Sequence, residues 1–258
     1  MTLATISSTT PRLTVKCATT SAEIEQALRL RYRVFVEEAN NSRLWNDHGL
    51  EYDVFDQWCD HLLVIDQNCD QVVGTYRLLP GERALAHQGF YSQTEFDLAK
   101  FSHLANALEL GRSCIAADYR GTRAIQMLWG GIANYLAERP HSHLIGCASM
   151  NHDELPDVSA LYSMLRQHNV ITDRYHVQPL ASHRMADLRC LPMTCSEREM
   201  VRRLPPLIKG YRWMGAELAG EPAYDPLFHT TDFFVVFETS QMTKRYQRHF
   251  ASSYQATV

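Results

Sequence analysis

The run Glu109-Leu-Gly-Arg-Ser-Cys-Ile-Ala-Ala-Asp-Tyr-Arg-Gly-Thr-Arg123 gathers the residues of this chain best suited to chemistry. Glu109 supplies a carboxylate that can accept a proton, and Arg112 a guanidinium that can hold an anion. The run reads as a strand over Leu108 to Ala117, then a short basic turn that contains a glycine and opens a helix. At that opening Arg120, Gly121, Thr122 and Arg123, with the backbone N–H groups of the helix start, have the make-up of a phosphate cradle. The chemistry implied is a general base beside the binding place of a phosphate-bearing carrier. Glu109 and Arg112 are three apart, which on a regular strand puts them on opposite faces. A bulge would bring them into one site; without it, a structural ion pair is the even alternative.

A second charged group lies upstream, in Glu51-Tyr-Asp-Val-Phe-Asp-Gln-Trp-Cys-Asp-His61. Asp53 and Asp56 are costly to bury without cations, and Arg31, Arg33 and Arg77 are available to meet them. Two readings stand: salt bridges that pin a loop, or a pocket for an ammonium-bearing substrate.

The remaining candidates are weaker. His48, His61 and His152 each have an Asp five residues later, but three such hits in a chain with 12 His make the spacing unspecific. His61 reads as a packed or capping residue. His141-x-His143 lacks a third ligand at usable spacing, so a surface position and no metal are expected. The seven cysteines include no C-x-x-C pair, which points to a reducing cytoplasm rather than a disulfide framework, with Cys114 and Cys147 as small buried residues. There is no nucleophile elbow, P-loop or dinucleotide fingerprint.

These residues need a framework, and the composition supplies one: 258 residues, 45% hydrophobic, 21% charged, net charge -4. The charge argues against a nucleic-acid binder held by phosphate contacts. Basic residues cluster at Arg198, Arg202, Arg203, Lys209 and Arg212, and again at Lys244, Arg245 and Arg248; solvated faces are the plainer reading, an acidic partner or anionic membrane the other. Apolar runs are too short to span a bilayer, so any membrane contact is peripheral. Residues 1–12 read as a flexible tail, and 13–258 as one domain with a C-terminal elaboration from about 190.

Along the chain, strands are expected over Leu13–Ala18, His61–Asp66, Val72–Leu79, Leu108–Ala117, Leu144–Ala148, Arg174–Leu180 and Thr231–Glu238. Helices are expected from Thr20 or Ser21, over Ala124–Ala137, over Val158–Gln167 and over Met242–Phe250. The interleaving predicts an α/β (α+β) fold with a mixed sheet.

In this order the pieces resemble the acyl-carrier-dependent N-acyltransferases of the GNAT superfold. Arg31 and Phe35 in Leu-Arg-Tyr-Arg-Val-Phe, Asp53, Asp56, Arg77, and Glu109 with Arg112 match the pattern of the acyl-homoserine-lactone synthases. The chain is more similar still to the bacterial L-ornithine Nα-acyltransferases. That resemblance is carried by Phe55-Asp-Gln-Trp-Cys-Asp-His-Leu-Leu-Val64, Gly89-Phe-Tyr-Ser-Gln-Thr-Glu-Phe-Asp-Leu98, Ile145-Gly-Cys-Ala-Ser149, Leu204-Pro-Pro-Leu-Ile-Lys-Gly-Tyr211 and Thr230-Thr-Asp-Phe-Phe-Val-Val236. It spans about Leu13 to Phe250; Arg-Trp-Met-Gly after Tyr211 and Glu221-Pro-Ala-Tyr depart from the family's pattern.

The resemblance implies a GNAT-like fold and transfer of a 3-hydroxyacyl chain from acyl carrier protein to the α-amine of L-ornithine. No cofactor is held permanently; the 4′-phosphopantetheine thioester is a co-substrate. Glu109 is then the general base, with Arg112 beside it. Arg31, Phe35, Asp53, Asp56 and Arg77 form the substrate site, with Asp53 and Asp56 facing the ornithine ammonium. Arg120, Gly121, Thr122 and Arg123 take the phosphopantetheine, and Phe35, Phe90 and Trp129 line the acyl channel. The location implied is the cytoplasm, with peripheral contact at the inner membrane face through the basic 198–212 segment. Acylation of another amino acid (glycine, lysine or an aromatic one), or a non-catalytic lipid- or carrier-binding role, are the alternatives.

Overall fold

Thr20 starts the first helix, as its position before an apolar-periodic run predicts. Its hydroxyl accepts from the Glu23 amide at 3.2 Å while the Glu23 carboxylate receives the Thr19 and Thr20 amides, a capping box that satisfies otherwise orphan N–H groups. In the computed structural model, which describes residues 10–154, 157–192 and 196–241, this helix, α1 (Ser21–Tyr32), runs on as a π-helical stretch over Arg33–Glu38. Such widened turns recur at functional sites, and this one contains Phe35.

The strands are β1 (Leu13–Cys17), β2 (Asp60–Asp66), β3 (Gln71–Pro80), β4 (Phe96–Asp97), β5 (Ala107–Ile115), β6 (His143–Asn151), β7 (Ile171–Thr172), β8 (Gln178–Pro179), β9 (Glu217–Asp225) and β10 (Thr230–Glu238). Eight of them form one sheet in the order β1-β2-β3-β5-β6-β10-β9-β7, and β4 pairs with β8. The main sheet is antiparallel except for β5 with β6 and β7 with β9. The mixed α/β fold expected from the sequence is the one found.

Both faces of the sheet are covered, so neighbouring strand residues point into different cores. Phe233, Val235 and Phe237 of β10 face α3 (Ala124–Glu138), α4 (Val158–Gln167), α5 (Glu197–Arg203) and α6 (Pro206–Met214). Phe234 and Val236 face the segment that holds α2 (Gly81–Ala86), Phe90, Phe96 and Phe101. Leu128 and Ile132 of α3 are fully buried, a contribution of roughly 1.5–3 kcal/mol each. Gly131 lets this helix lie close: a Cβ there would stand 2.9 Å from Leu62 and Val15.

The structure departs from the sequence reading at three places. The strand expected over Arg174–Leu180 shrinks to Gln178–Pro179, because His176 takes φ +54° and turns the chain. The strand β9 is not apparent in the sequence, since Gly220 and Pro222 interrupt it. Residues 220–222 form a bulge opposite Phe233, where Gly220 adopts φ +72° and a proline removes no ladder bond. The pair His141 and His143 is buried rather than on the surface; His143 stacks on His103 at 4.1 Å and its Nδ1 lies 2.8 Å from the Ser142 hydroxyl. The expected helix Met242–Phe250, its basic cluster and most of the N-terminal tail lie outside the described residues.

Candidate active site

The key local event is in β5. Gly111 pairs with Arg77 and Cys114 with Thr75, so Arg112 and Ser113 together oppose Tyr76. This bulge takes Arg112 to φ +51° and breaks the period-two alternation. Beside it, the parallel pairing of β5 with β6 covers only Ala107–Glu109 against His143–Ile145. The strands part beyond that point. A cavity of about 480 Å³ opens there, walled by Glu109, Gly111, Arg112, Tyr91, Cys147 and Asp232 among others. Phe35, Ile125 and Trp129 are also in its wall. Phe90 is not: it is fully buried in the core under α2.

Glu109 is 4% exposed. Its oxygens accept from the Tyr91 amide (2.9 Å), the Ser92 amide (2.8 Å) and the Ser92 hydroxyl (2.6 Å). Burial pushes its pKa up, and the Ser92 hydrogen bonds and the Arg77 charge only partly offset that. A buried carboxylate with raised proton affinity on a cavity wall is a fit proton acceptor.

Arg112 does not pair with Glu109. It belongs to a closed ring of six alternating charges. Arg31 meets Glu51 at 2.5 Å and Asp56 at 2.6 Å; Arg77 meets Asp53 at 2.6 Å and Asp56 at 3.3 Å; Arg112 meets Glu51 at 3.0 Å and Asp53 at 2.9 Å. Every carboxylate in the ring thus has two guanidinium neighbours. Against the penalty of burial, Arg112 and Arg31 hold Glu51 below its ordinary pKa, and Arg31 and Arg77 do the same for Asp56. The Arg112 guanidinium also sits between the rings of Tyr91 (4.4 Å) and Phe228 (4.5 Å), favourable cation–π geometry. The sequence reading offered Arg33 for this loop; its side chain is exposed and Arg112 takes that place. Glu51, the sixth member, carries no sequence signal that sets it apart from the loop's other acids.

The turn before α3 holds the basic group. Gly121 takes φ +82° with open space around its missing Cβ. The Thr122 hydroxyl accepts from the Ala124 amide at 3.2 Å, a threonine turn that leads into α3. Arg123 is exposed, whereas Arg120 is tied to Glu38 and to the Ile115 carbonyl. Ile125, in the first turn of α3, joins this group to the cavity wall.

A further group was not visible in the sequence. Glu95, Asp225 and Asp232 are all buried, and Asp225 and Asp232 are in the cavity wall with Tyr91 and Cys147. They lie on separate elements with no spacing pattern, and only their burial reveals them. Deeper still, Leu110, Leu144, Gly146, Val235 and Phe237 enclose a small apolar pocket that shares Trp129, Tyr211 and Met214 with the main cavity. No helix among the described residues is long and apolar enough to cross a membrane.

Comparison with known proteins agrees with this arrangement. Residues 30–130 match the family model of the acetyltransferase (GNAT) domain. An L-ornithine N(alpha)-acyltransferase of Agrobacterium fabrum (strain C58 / ATCC 33970) is 37% identical over 246 residues, 91% of this chain and 83% of that protein. One from Brucella abortus (strain 2308) is 34% identical over 252 residues, 93% of this chain and 89% of its own. Among solved structures, the CoA-dependent acyl-homoserine lactone synthase BjaI, with SAM and isopentyl-CoA, superposes with a TM-score of 0.56 at 14% identity, covering 95% of this chain and 91% of that one. FeeM, an N-acyl amino acid synthase from uncultured soil microbes, gives 0.52 at 11% identity over 92% and 98%. These two likenesses are of fold. Full-length similarity at 34% and 37% identity, the GNAT match and the parted β5–β6 cleft together show that the chain belongs to the L-ornithine Nα-acyltransferase family of N-acyltransferases.

Proposed function

We propose that this enzyme transfers a 3-hydroxyacyl chain from the phosphopantetheine thioester of acyl carrier protein to the α-amine of L-ornithine, forming lyso-ornithine lipid. The observation that carries the reading is Glu109: a buried carboxylate of raised pKa on the wall of a cavity that leads into an apolar pocket. Glu109 removes a proton from the α-ammonium, directly or through a water. The freed nitrogen attacks the thioester carbon. Backbone N–H groups of the bulged Gly111–Ser113 stretch face the oxyanion of the tetrahedral intermediate. The C–S bond then breaks, the thiol of the carrier arm leaves with a proton, and the amide remains.

Arg31, Asp53, Asp56 and Arg77 act in this scheme by fixing Arg112 and the loop over the cavity, since their charges are spent on one another. Phe35 and Trp129 border the acyl chain. Gly121, Thr122 and Arg123, with Arg120 braced by Glu38, receive the pantetheine phosphate at the start of α3. The exposed Val201, Leu207 and Trp213 stand among the basic residues of α5 and α6, which suits peripheral contact with an anionic membrane in the cytoplasm.

The test is mass spectrometry of lipids from a host that lacks aminolipids, with and without this chain. A new 3-hydroxyacyl amide of ornithine is expected. A different N-acyl amino acid would overturn the substrate, and no acyl amide from folded enzyme supplied with acyl carrier protein would overturn the reaction. Arg123→Glu is expected to raise KM for the acyl carrier about tenfold or more, as read in steady-state kinetics with each substrate varied, and to move KM for ornithine far less. An equal loss for both substrates would remove Arg123 from the carrier site.

A further inference from the structure

The mechanism uses Glu109 and leaves a second pair of buried acids without a task. Glu95 is 1% exposed and Asp232 2%. Glu95 follows the short turn Tyr91–Thr94, and Asp232 comes from β10. One oxygen of each, and Sγ of Cys147, lie within 4.8 Å of one another. The Cys147 thiol donates to Glu95 Oε2 at 3.7 Å, and the Ser149 hydroxyl to Asp232 Oδ2 at 3.0 Å. Glu95 Oε1 and Asp232 Oδ1 are buried and receive no N–H or O–H donor at hydrogen-bond geometry, and the two carboxyl groups lie against each other. Asp232, Cys147 and Ser149 are in the cavity wall.

Two carboxyl groups this close need a proton or a cation between them. Burial and the charge of Asp225 push Asp232 up to about 6, and burial with the charges of Asp232 and Asp225 pushes Glu95 further. A carboxyl pair that shares one proton carries one negative charge, the complement of a single ammonium. Asp225 is otherwise occupied: its Oδ1 takes the amides of Leu227 (2.6 Å) and Phe228 (3.2 Å), and its Oδ2 the Tyr91 hydroxyl (3.3 Å).

We propose that Glu95 and Asp232 receive the side-chain ammonium of the amino-acid substrate and select a diamino acid over a neutral one. This rests on the reading of Glu109 as the base for the α-amine. The spacing supports it. Ser92 Oγ is 2.6 Å from Glu109 Oε1 and 3.6 Å from Cys147 Sγ, which is 3.7 Å from Glu95 Oε2. Glu109 and Asp232 therefore stand in the wall of the same cavity, with Glu95 one contact further in, behind Cys147, so that an amino acid whose α-amine meets Glu109 can turn its side chain toward the acid pair. The same three groups also have the spacing of a metal site, the outcome that the experiment below sets against an ammonium.

The experiment compares L-ornithine with L-norvaline, which has the same carbon chain without the terminal amine, using one acyl donor. Wild-type enzyme is expected to favour ornithine. In Asp232→Asn and in Glu95→Gln the ornithine-to-norvaline ratio of kcat/KM is expected to fall by roughly 10- to 100-fold, mostly through a higher KM for ornithine. An unchanged ratio in either folded variant overturns the assignment while leaving ornithine acylation intact. Wild-type enzyme that acylates another amino acid and not ornithine would instead overturn the functional reading beneath it. Should both variants fail to fold, thermal shifts of wild-type protein decide. Stabilisation by ornithine and not by norvaline supports the pair as an ammonium site. Stabilisation by Zn²⁺, reversed by EDTA, with no discrimination between the amino acids, overturns it.

Discussion

Glu109→Gln lowers kcat by roughly 10²–10⁴-fold, equivalent to about 3–5 kcal/mol of transition-state stabilisation. The substitution keeps volume and one carbonyl oxygen and removes the proton acceptor. It also turns an amide NH₂ toward a site lined with donors. Glu109 receives three donors, from the Tyr91 amide and the Ser92 amide and hydroxyl, and one of them loses its acceptor, at a cost of about 1–3 kcal/mol. Thermal melting separates that stability loss from the catalytic one. A folded Gln variant with wild-type turnover would show Glu109 to be structural.

The pH profile gives a second readout. Burial raises the pKa of Glu109, so the acid limb of kcat/KM lies above the ordinary glutamate value of about 4.3, and Glu109→Gln removes the part of that limb due to this group. The effect on stability has the opposite sign to that of a salt-bridged acid. A raised native pKa favours the protonated native state, so its contribution is full below the unfolded value and is lost as pH rises through the native one. Relative to wild type, Glu109→Gln is therefore less destabilising at high pH than at low pH.

What the sequence made legible, and what it hid, follows from the range of the interactions. The Thr20–Glu23 capping box is local, and its spacing alone places the helix start. The residue types around Glu109 are likewise adjacent in the chain. Whether Glu109 and Arg112 share a cavity was open, because it turns on a bulge whose other half, Tyr76, lies on a different strand. The ring's cations show the same limit. Arg31 and Arg33 are two apart and leave a helix in different directions; only Arg31 points inward, and Arg112 supplies the third guanidinium from far along the chain. Asp53 and Asp56 turned out to be matched with arginines, the arrangement that the plainer of the two sequence readings described. Glu95 and Asp232 had no local signal at all. Glu95 follows the polar Ser92-Gln93-Thr94 and Asp232 heads an apolar strand after two threonines, so neither stands out locally, and only the tertiary fold makes them neighbours.

Arg31→Met is expected to destabilise the protein by about 3–5 kcal/mol, seen as a fall in Tm of roughly 10 °C. Arg31 is 0% exposed and bridges Glu51 and Asp56. Methionine fills much of its volume but leaves the ring with three carboxylates and two guanidiniums. The excess charge cannot reach water easily: Glu51 is 3% exposed and the Asp56 side chain 10%. Arg112 and Arg77 are drawn toward the unpaired acids, so the bulged segment beside Glu109 moves with them. Activity should therefore fall further than the folded fraction does. Asp56→Asn in the Arg31→Met background removes the excess charge, and the double variant should recover part of the loss, with a coupling of roughly 0.5–3 kcal/mol. Additive effects would mean that the ring is a set of independent pairs. The acid dependence follows from the same contacts. Glu51 and Asp56 have depressed native pKa values, so their contribution is full above their unfolded values near 4 and is lost as pH falls toward the native ones. In Arg31→Met that acid-side loss is smaller, because the stability it would remove is already missing at neutral pH. The stability difference between wild type and variant therefore narrows below about pH 4, and a difference that stayed constant with pH would separate the effect of Arg31 from its charge.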